Sequence, residues 1–155
     1  MLTHEHLKSI VDELEILTDE ARAYLNPQTG HVITIANEYA NLFEVDELDP
    51  EEFTGWEQEA AEEARKVLES EDYLLLPSKY EIHEYHIMKD FCLSVDDDRL
   101  QEELLNAIHG RGAFRRFKDT AYRHGIEKDW FRFKTEAIQE RVTDWLDAEG
   151  IAYEQ

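Results

Sequence analysis

The 155-residue chain has little or none of several features that would place it in a well-known class of protein. A single cysteine, Cys92, excludes an intrachain disulfide, which fits a reducing compartment. No apolar run approaches the roughly 18 residues that a membrane span needs. The N-terminus has no basic segment followed by an apolar stretch, so we predict no signal peptide. These absences favour a cytoplasmic protein that does not associate with membranes.

Sequence motifs for known chemistries are absent as well. The chain has no phosphate-binding P-loop, dinucleotide fingerprint, nucleophile elbow or His-Glu-x-x-His pattern. His83 and His86 have a spacing that metal ions use on helices, but two histidines alone are unspecific. If Asp46 began a calcium-binding EF-hand loop, Glu51 would stand where the loop needs glycine. The sequence thus indicates no catalytic residue, metal or cofactor, and favours a non-enzymatic role.

Acidic residues are what the chain has in excess. It carries 37 Asp and Glu against 16 Lys and Arg, a formal net charge of -21. This balance argues against nonspecific binding to nucleic acid or to anionic membranes. The chain is also 42% hydrophobic and contains 7 Phe, 7 Tyr and 3 Trp, so it can bury a core, unlike a disordered acidic tail. Its length predicts a single domain over residues 1–155.

Hydrophobic periodicity predicts a mainly helical α+β fold with an N-terminal β-hairpin packed on helices. A first helix should begin after Thr3 and end near Ala21, and β-forming residues flank a turn from Pro27 to Gly30. Residues 36–55 read as acidic and irregular, and the short apolar run 73–77 as a third strand or an extended core segment. Further helices are expected over about 57–69, 81–94, 98–109, 113–123 and 128–148. On the helix expected over 81–94, Tyr85, Met88, Cys92 and Val95 should face inward.

One basic segment interrupts the acidic chain. Residues 111–134 hold 8 basic and 3 acidic residues, a net of +5. Within it, residues 110–119 read Gly-Arg-Gly-Ala-Phe-Arg-Arg-Phe-Lys-Asp, a glycine-bracketed loop leading into a helix. Phe114, Phe117 and Ala121 share one helical stripe and are expected in the core. The predicted binding residues are Gly110, Arg111, Gly112, Arg115, Arg116 and Lys118.

Four roles remain open for this segment. It can bind an acidic group on an unknown protein partner, which is the leading hypothesis, or pair internally with the acidic N-terminal half. Alternatively, the loop and the helix start can form a site for a small anionic ligand, in a binding protein or an enzyme. Nucleic acid is disfavoured, because the surrounding charge repels phosphates. If the role is external, alanine in place of Arg111, Arg115, Arg116 or Lys118 should change stability by less than about 0.5 kcal/mol.

An ordered series of motifs resembles a known bacterial family. The series comprises Tyr24 to Gly30, Leu48 to Phe53, Gly55-Trp56-Glu57, Met88-x-x-Phe91, Gly110 to Asp119, Trp130-x-x-Phe133 and Trp145-Leu146. It covers most of the chain and is similar to the group catalogued as uncharacterised protein family 0158, with the segment from Gly110 to Asp119 as its most specific part. The resemblance implies a small bacterial cytoplasmic protein and supplies no activity, substrate or catalytic residue.

Overall fold

A computed structural model describes all residues from 1 to 155 and confirms a mainly helical α+β fold. The chain divides into two compact units. The first unit contains residues 1–81 and 142–155, and the second contains residues 82–141. Whether these units constitute one domain, as the chain length predicts, stays a prediction. No helix has both the length and the apolar character needed to cross a membrane.

Helices and short strands alternate in the first unit, and helices make up the second. The elements of the first unit are α1 (His4–Ile16), β1 (Ala21–Leu25), β2 (Val32–Ala36), α2 (Asn37–Glu44), a 3-10 turn (Pro50–Glu52), α3 (Trp56–Glu69) and β3 (Leu74–Leu75). A short helix, α4 (Lys79–Ile82), crosses the boundary between the units. Then follow α5 (Glu84–Ser94), α6 (Asp98–Ala107), α7 (Ala113–Arg123) and α8 (Glu127–Glu149), whose last turns belong to the first unit.

The predicted hairpin forms the larger part of a three-stranded antiparallel sheet. The strand order is β2-β1-β3, so the first strand in the chain is the central one. β1 and β2 pair from Ala21 with Ala36 to Leu25 with Val32. Gly30 closes the turn by donating its N–H to the Asn26 carbonyl oxygen at 2.8 Å. Its φ of +78° lies in the left-handed region that favours glycine.

Helices cover both faces of this sheet. On one face Thr34 donates its hydroxyl to Glu13 of α1 at 2.9 Å, and α1 buries an apolar stripe at the helical spacing seen in the sequence. On the opposite face Ile33 and Ile35 pack with α2 and α3. The buried part of that cluster is Ile35, Tyr39, Leu48, Ala61, Ala64 and Val67.

An aromatic cluster forms the core of the second unit. Phe117 of α7 meets Trp130 of α8 edge to face, with ring centroids 4.9 Å apart. Phe91 of α5 makes similar contacts with Phe117, Trp130 and Phe133 at 5.9, 5.5 and 5.4 Å. Such pairs add to the free energy gained from burial. Cys92, next to Phe91, has no exposed surface, and this burial raises the pKa of its thiol to about 11.

Two predicted helices have different bounds, and one further helix was not predicted. Helix α1 ends at Ile16 rather than near Ala21, because Ala21 already pairs with Ala36 in the sheet. Part of the region expected to be irregular forms helix α2. The helix expected over 81–94 breaks at His83, whose φ and ψ of 57° and 56° are left-handed.

Two aromatic residues expected to face inward are exposed. Tyr85 is 41% exposed and uses its hydroxyl to bond the Ile108 carbonyl oxygen at 3.1 Å. Phe114 is 38% exposed, whereas Phe117 and Ala121 of the same predicted stripe are buried. The core side of α7 is therefore narrower than its apolar pattern suggested.

Candidate functional site

The candidate site lies on the turn between α6 and α7 and on the first part of α7. Asp97 caps α6 by accepting hydrogen bonds from the N–H groups of Arg99 and Leu100. After α6, Gly110 and Gly112 have φ values of +74° and +73°, conformations that residues with a Cβ rarely adopt. These two glycines allow the chain to leave one helix and begin the next within a few residues.

The orientation of α7 is fixed by its buried face. Ala113, Phe117, Thr120 and Ala121 are all buried. Thr120 is the only buried polar side chain of the core, and it donates its hydroxyl to the Arg116 carbonyl oxygen at 2.8 Å. The other side chains of α7 are exposed, so the side of the helix opposite these four residues points to solvent.

We define the α7 face as the side chain of Arg111, in the turn before α7, together with the basic and aromatic side chains Phe114, Arg115, Lys118 and Tyr122 of the helix. The last four lie within an arc of about 100° on the helix. Tyr122 is 73% exposed, and Phe114 is partly exposed at the edge of the arc. The side chains of Arg111, Arg115 and Lys118 make no hydrogen bond or ion pair. The α7 face thus combines three unpaired cations with two exposed rings.

Arg116 has a different role from the other predicted binding residues. Its Nε donates to the Ala107 carbonyl oxygen at 3.0 Å, and its two terminal nitrogens donate to the carbonyl oxygens of His109 and Arg111. These carbonyls lie at the end of α6 and in the following turn, where helical partners run out. The guanidinium of Arg116 therefore ties α7 to the end of α6 and has little capacity left for a ligand.

Two more basic groups near the C-terminus of α7 are paired with a carboxylate. Glu103 of α6 accepts from Arg123 at 2.7 Å, and its other oxygen lies 2.9 Å from Nε2 of His124. Glu103, Arg116 and Arg123 line an open depression of about 490 Å³ between α6 and α7. Because both of its arginines already have partners, this depression offers no free cation to an anionic ligand.

A family comparison agrees with the resemblance seen in the motifs. The model of the uncharacterised protein family UPF0158 matches residues 3–154. The chain belongs to this family. The UPF0158 protein PA5073 of Pseudomonas aeruginosa is 29% identical over 84 residues, which are 54% of this chain and 55% of that protein. The chain thus matches about half the length of this relative. No solved structure matches it significantly.

Charge is divided very unequally between the two units of this UPF0158 protein. The first unit carries 5 basic and 25 acidic residues, a net of -20. The second unit carries 11 basic and 12 acidic residues, a net of -1. Six carboxylates of the first unit line an open depression of about 740 Å³: Asp46, Glu47, Asp49, Glu51, Glu52 and Glu69. Nearly the whole net charge of the chain therefore belongs to one unit, and the α7 face belongs to the other.

The histidine pair in this UPF0158 chain gathers no further ligands. The rings of His83 and His86 meet edge to face with centroids 5.5 Å apart. No group of three or more His, Cys, Asp or Glu side chains is arranged to hold a metal ion.

Proposed function

We propose that this UPF0158 protein is a non-enzymatic interaction or regulatory module, in which the α7 face binds an acidic surface of a partner protein. The observation that carries the proposal is the set of three cations without intramolecular partners, beside two exposed rings, in a chain of net charge -21. Aromatic and arginine side chains supply much of the energy at protein interfaces. The acidic first unit is proposed as a second contact surface, for basic partners.

An anionic-ligand site at residues 110–116, in a binding protein or an enzyme, is the alternative function. The hydrogen bonds of Arg116 weigh against it, because they occupy the guanidinium that would bind the anion bidentately. Nucleic acid is a second alternative. It would have to bind the α7 face against the repulsion of a strongly acidic chain.

The proposal is tested by affinity capture from a bacterial lysate, with and without nuclease. Wild type is compared with an Arg111→Ala/Arg115→Ala/Lys118→Ala variant, which removes the cations of the α7 face. A matched control replaces Lys89, Arg99 and Arg132 with alanine. These are three exposed cations of the same unit, so the net charge changes equally. We expect a protein that wild type and the control retain and that the α7 variant loses by about tenfold or more.

Three results would contradict the proposal. If the α7 variant and the control variant lost the captured protein equally, binding would depend on net charge alone. If capture disappeared on nuclease treatment, the partner would be nucleic acid. A fall in unfolding free energy well above about 0.5 kcal/mol in the α7 variant would show that these cations are structural.

A further inference from the structure

Strand β2 leaves one edge of the sheet open. Its odd-numbered residues bond to β1, as shown by the hydrogen bonds from Asn26 N to His31 O at 2.9 Å and from Asn37 N to Glu20 O at 2.8 Å. In an antiparallel ladder the alternate residues then direct their N–H and C=O groups away from the partner strand. Val32 and Thr34 therefore present unpaired backbone groups at the outer edge of the sheet.

This edge lacks the features that usually protect an exposed strand. Natural edges are shortened, bulged or furnished with proline or lysine, which prevents pairing with another chain. The strand Val32–Ala36 is five residues long, pairs in continuous register with β1 and contains neither a charge nor a proline. Its free edge is therefore suited to accept a further strand.

A groove runs beside this edge on the α3 side of the sheet. It has a volume of about 260 Å³ and is lined by residues 33–36 together with Trp56, Ala60 and Glu63 of α3. Trp56 is 75% exposed, although it is one of the largest apolar side chains in the chain. An exposed indole beside an open strand provides apolar area for the side chains of an added strand.

The charges around the edge determine what kind of strand would fit. Glu63 of α3 lines the groove, and Glu13 reaches Thr34 from α1 on the opposite face of the sheet. The unit as a whole has a net charge of -20. A second copy of the chain would bring a like charge to the edge, whereas a basic segment is attracted.

We propose that β2 accepts an extended, basic segment of a partner protein as a fourth strand of the sheet. Such β-augmentation gains its affinity from main-chain hydrogen bonds and its specificity from alternate side chains. On the added strand, apolar side chains would lie over the Trp56 groove, and the basic side chains between them would lie near Glu13. The segment should therefore alternate apolar and basic residues. The proposal rests on the proposed interaction module, identifies how its acidic unit takes a basic partner, and involves no residue of α7.

The experiment uses the full chain and a blocked heptapeptide of alternating lysine and valine. A peptide with the same composition, but with its lysines and valines in separate blocks, is the control for charge alone. Binding is followed by calorimetry, and hydrogen exchange detected by NMR reports on the N–H groups of Val32 and Thr34. We expect the alternating peptide to bind at least about tenfold more tightly and to slow exchange at these two amides.

Two variants test separately how the strand edge and the groove contribute to peptide binding. Thr34→Pro removes the outward N–H without removing a bond to β1, and edge positions tolerate proline. Its control is Thr34→Val, which removes the hydroxyl but keeps the N–H. Trp56→Ala changes an exposed side chain and is expected to leave the fold intact. Thr34→Pro and Trp56→Ala should each weaken binding of the alternating peptide by about tenfold or more, and Thr34→Val should leave binding unchanged.

Three results would overturn the proposal. Equal binding of both peptides would show a nonspecific acidic surface, and protection elsewhere than β2 would place the peptide at another site. Sedimentation showing dimers that Thr34→Pro abolishes would make the occupant a second copy of the chain. The Arg111→Ala/Arg115→Ala/Lys118→Ala variant should bind the alternating peptide as wild type does. The capture experiment therefore tests the α7 proposal, and peptide binding tests the β2 proposal independently of it.

Discussion

Nε of Arg116 donates a hydrogen bond of 3.0 Å to the carbonyl oxygen of Ala107, nine residues earlier in the chain. Together with the bonds to His109 and Arg111, this contact satisfies three carbonyls at the end of α6 and in the turn to α7. Lysine carries the same charge but cannot form this planar fork. Arg116→Lys should therefore lower the unfolding free energy by about 1–2 kcal/mol in urea denaturation.

Arg115 provides the matched control for that measurement. It is the neighbouring residue on α7 and makes no hydrogen bond. Arg115→Lys should change the unfolding free energy by less than about 0.5 kcal/mol. Equal stability of the Arg116→Lys and Arg115→Lys variants would contradict a structural role for the Arg116 fork.

The hairpin turn and the first helix approach each other closely at Gly30 and His6. A Cβ placed on Gly30 would lie 2.4 Å from Cδ2 of His6, and the φ of +78° is itself unfavourable for alanine. The His6 ring also accepts the Thr3 N–H at 3.0 Å in the capping box of α1. Gly30→Ala should therefore cost about 2–4 kcal/mol of unfolding free energy, from backbone strain and loss of the cap.

Two further variants, Gly125→Ala and the double variant Gly30→Ala/His6→Ala, show how much of the cost of Gly30→Ala is steric. Gly125 has a φ of +70°, but a Cβ added there would meet no other atom, so alanine should cost only about 1 kcal/mol. Adding His6→Ala to Gly30→Ala removes the ring that collides. The summed unfolding free-energy costs of Gly30→Ala and His6→Ala, each made alone, should then exceed the cost of the double variant by about 1 kcal/mol or more. Strict additivity would contradict the predicted collision.

The buried thiol of Cys92 makes stability depend on pH in the alkaline range. Burial raises its pKa from 9.0 to about 11, so between these values the thiol is ionised in the unfolded chain and protonated in the folded one. The unfolded state then binds fewer protons, and stability falls as pH rises. Between pH 8 and pH 10, wild type should lose about 1.3 kcal/mol of unfolding free energy relative to Cys92→Ala. A constant difference between the two proteins would show that the pKa of the thiol is the same in the folded and unfolded states.

Salt should stabilise the first unit more than the second. Repulsion among its charges, net -20, is screened as ionic strength rises, whereas the second unit has a net charge of only -1. Between about 20 and 300 mM NaCl, amide exchange should slow more for Tyr24 in β1 than for Phe117 in α7. An equal change at both amides would contradict a stability difference that follows the division of charge.

Local signals in the sequence were sufficient to predict the hairpin and the α6–α7 region. The turn from Pro27 to Gly30 is flanked by β-forming residues, and Gly110 and Gly112 mark the boundary between two amphipathic helices. The placement of Arg115, Lys118 and Tyr122 away from the core also follows from their spacing on the helix. Each of these features depends on neighbouring residues alone.

Features that depend on distant contacts could not be predicted in the same way. Helix α2 begins at Asn37, and its N-cap residue, Ala36, has no side chain that can accept a capping hydrogen bond, so the usual start signal is missing. The break at His83 involves neither glycine nor proline. Arg116 resembles Arg115 in sequence, and only the carbonyls left open by α6 distinguish the two. The open edge at β2 follows from the strand order, which the hairpin alone does not determine.

That strand order also determines when the sheet can be completed during synthesis on the ribosome. β1 is the central strand, but its second neighbour, β3, is separated from it by residues 26–73. At typical elongation rates this stretch takes roughly 2–10 s to make. Until Leu76 is available to donate its N–H to the Ala23 carbonyl oxygen, a bond of 2.9 Å in the finished sheet, the nascent hairpin has two open edges. The emerging chain is therefore most prone to pair with another chain in the interval before residue 76 leaves the ribosome.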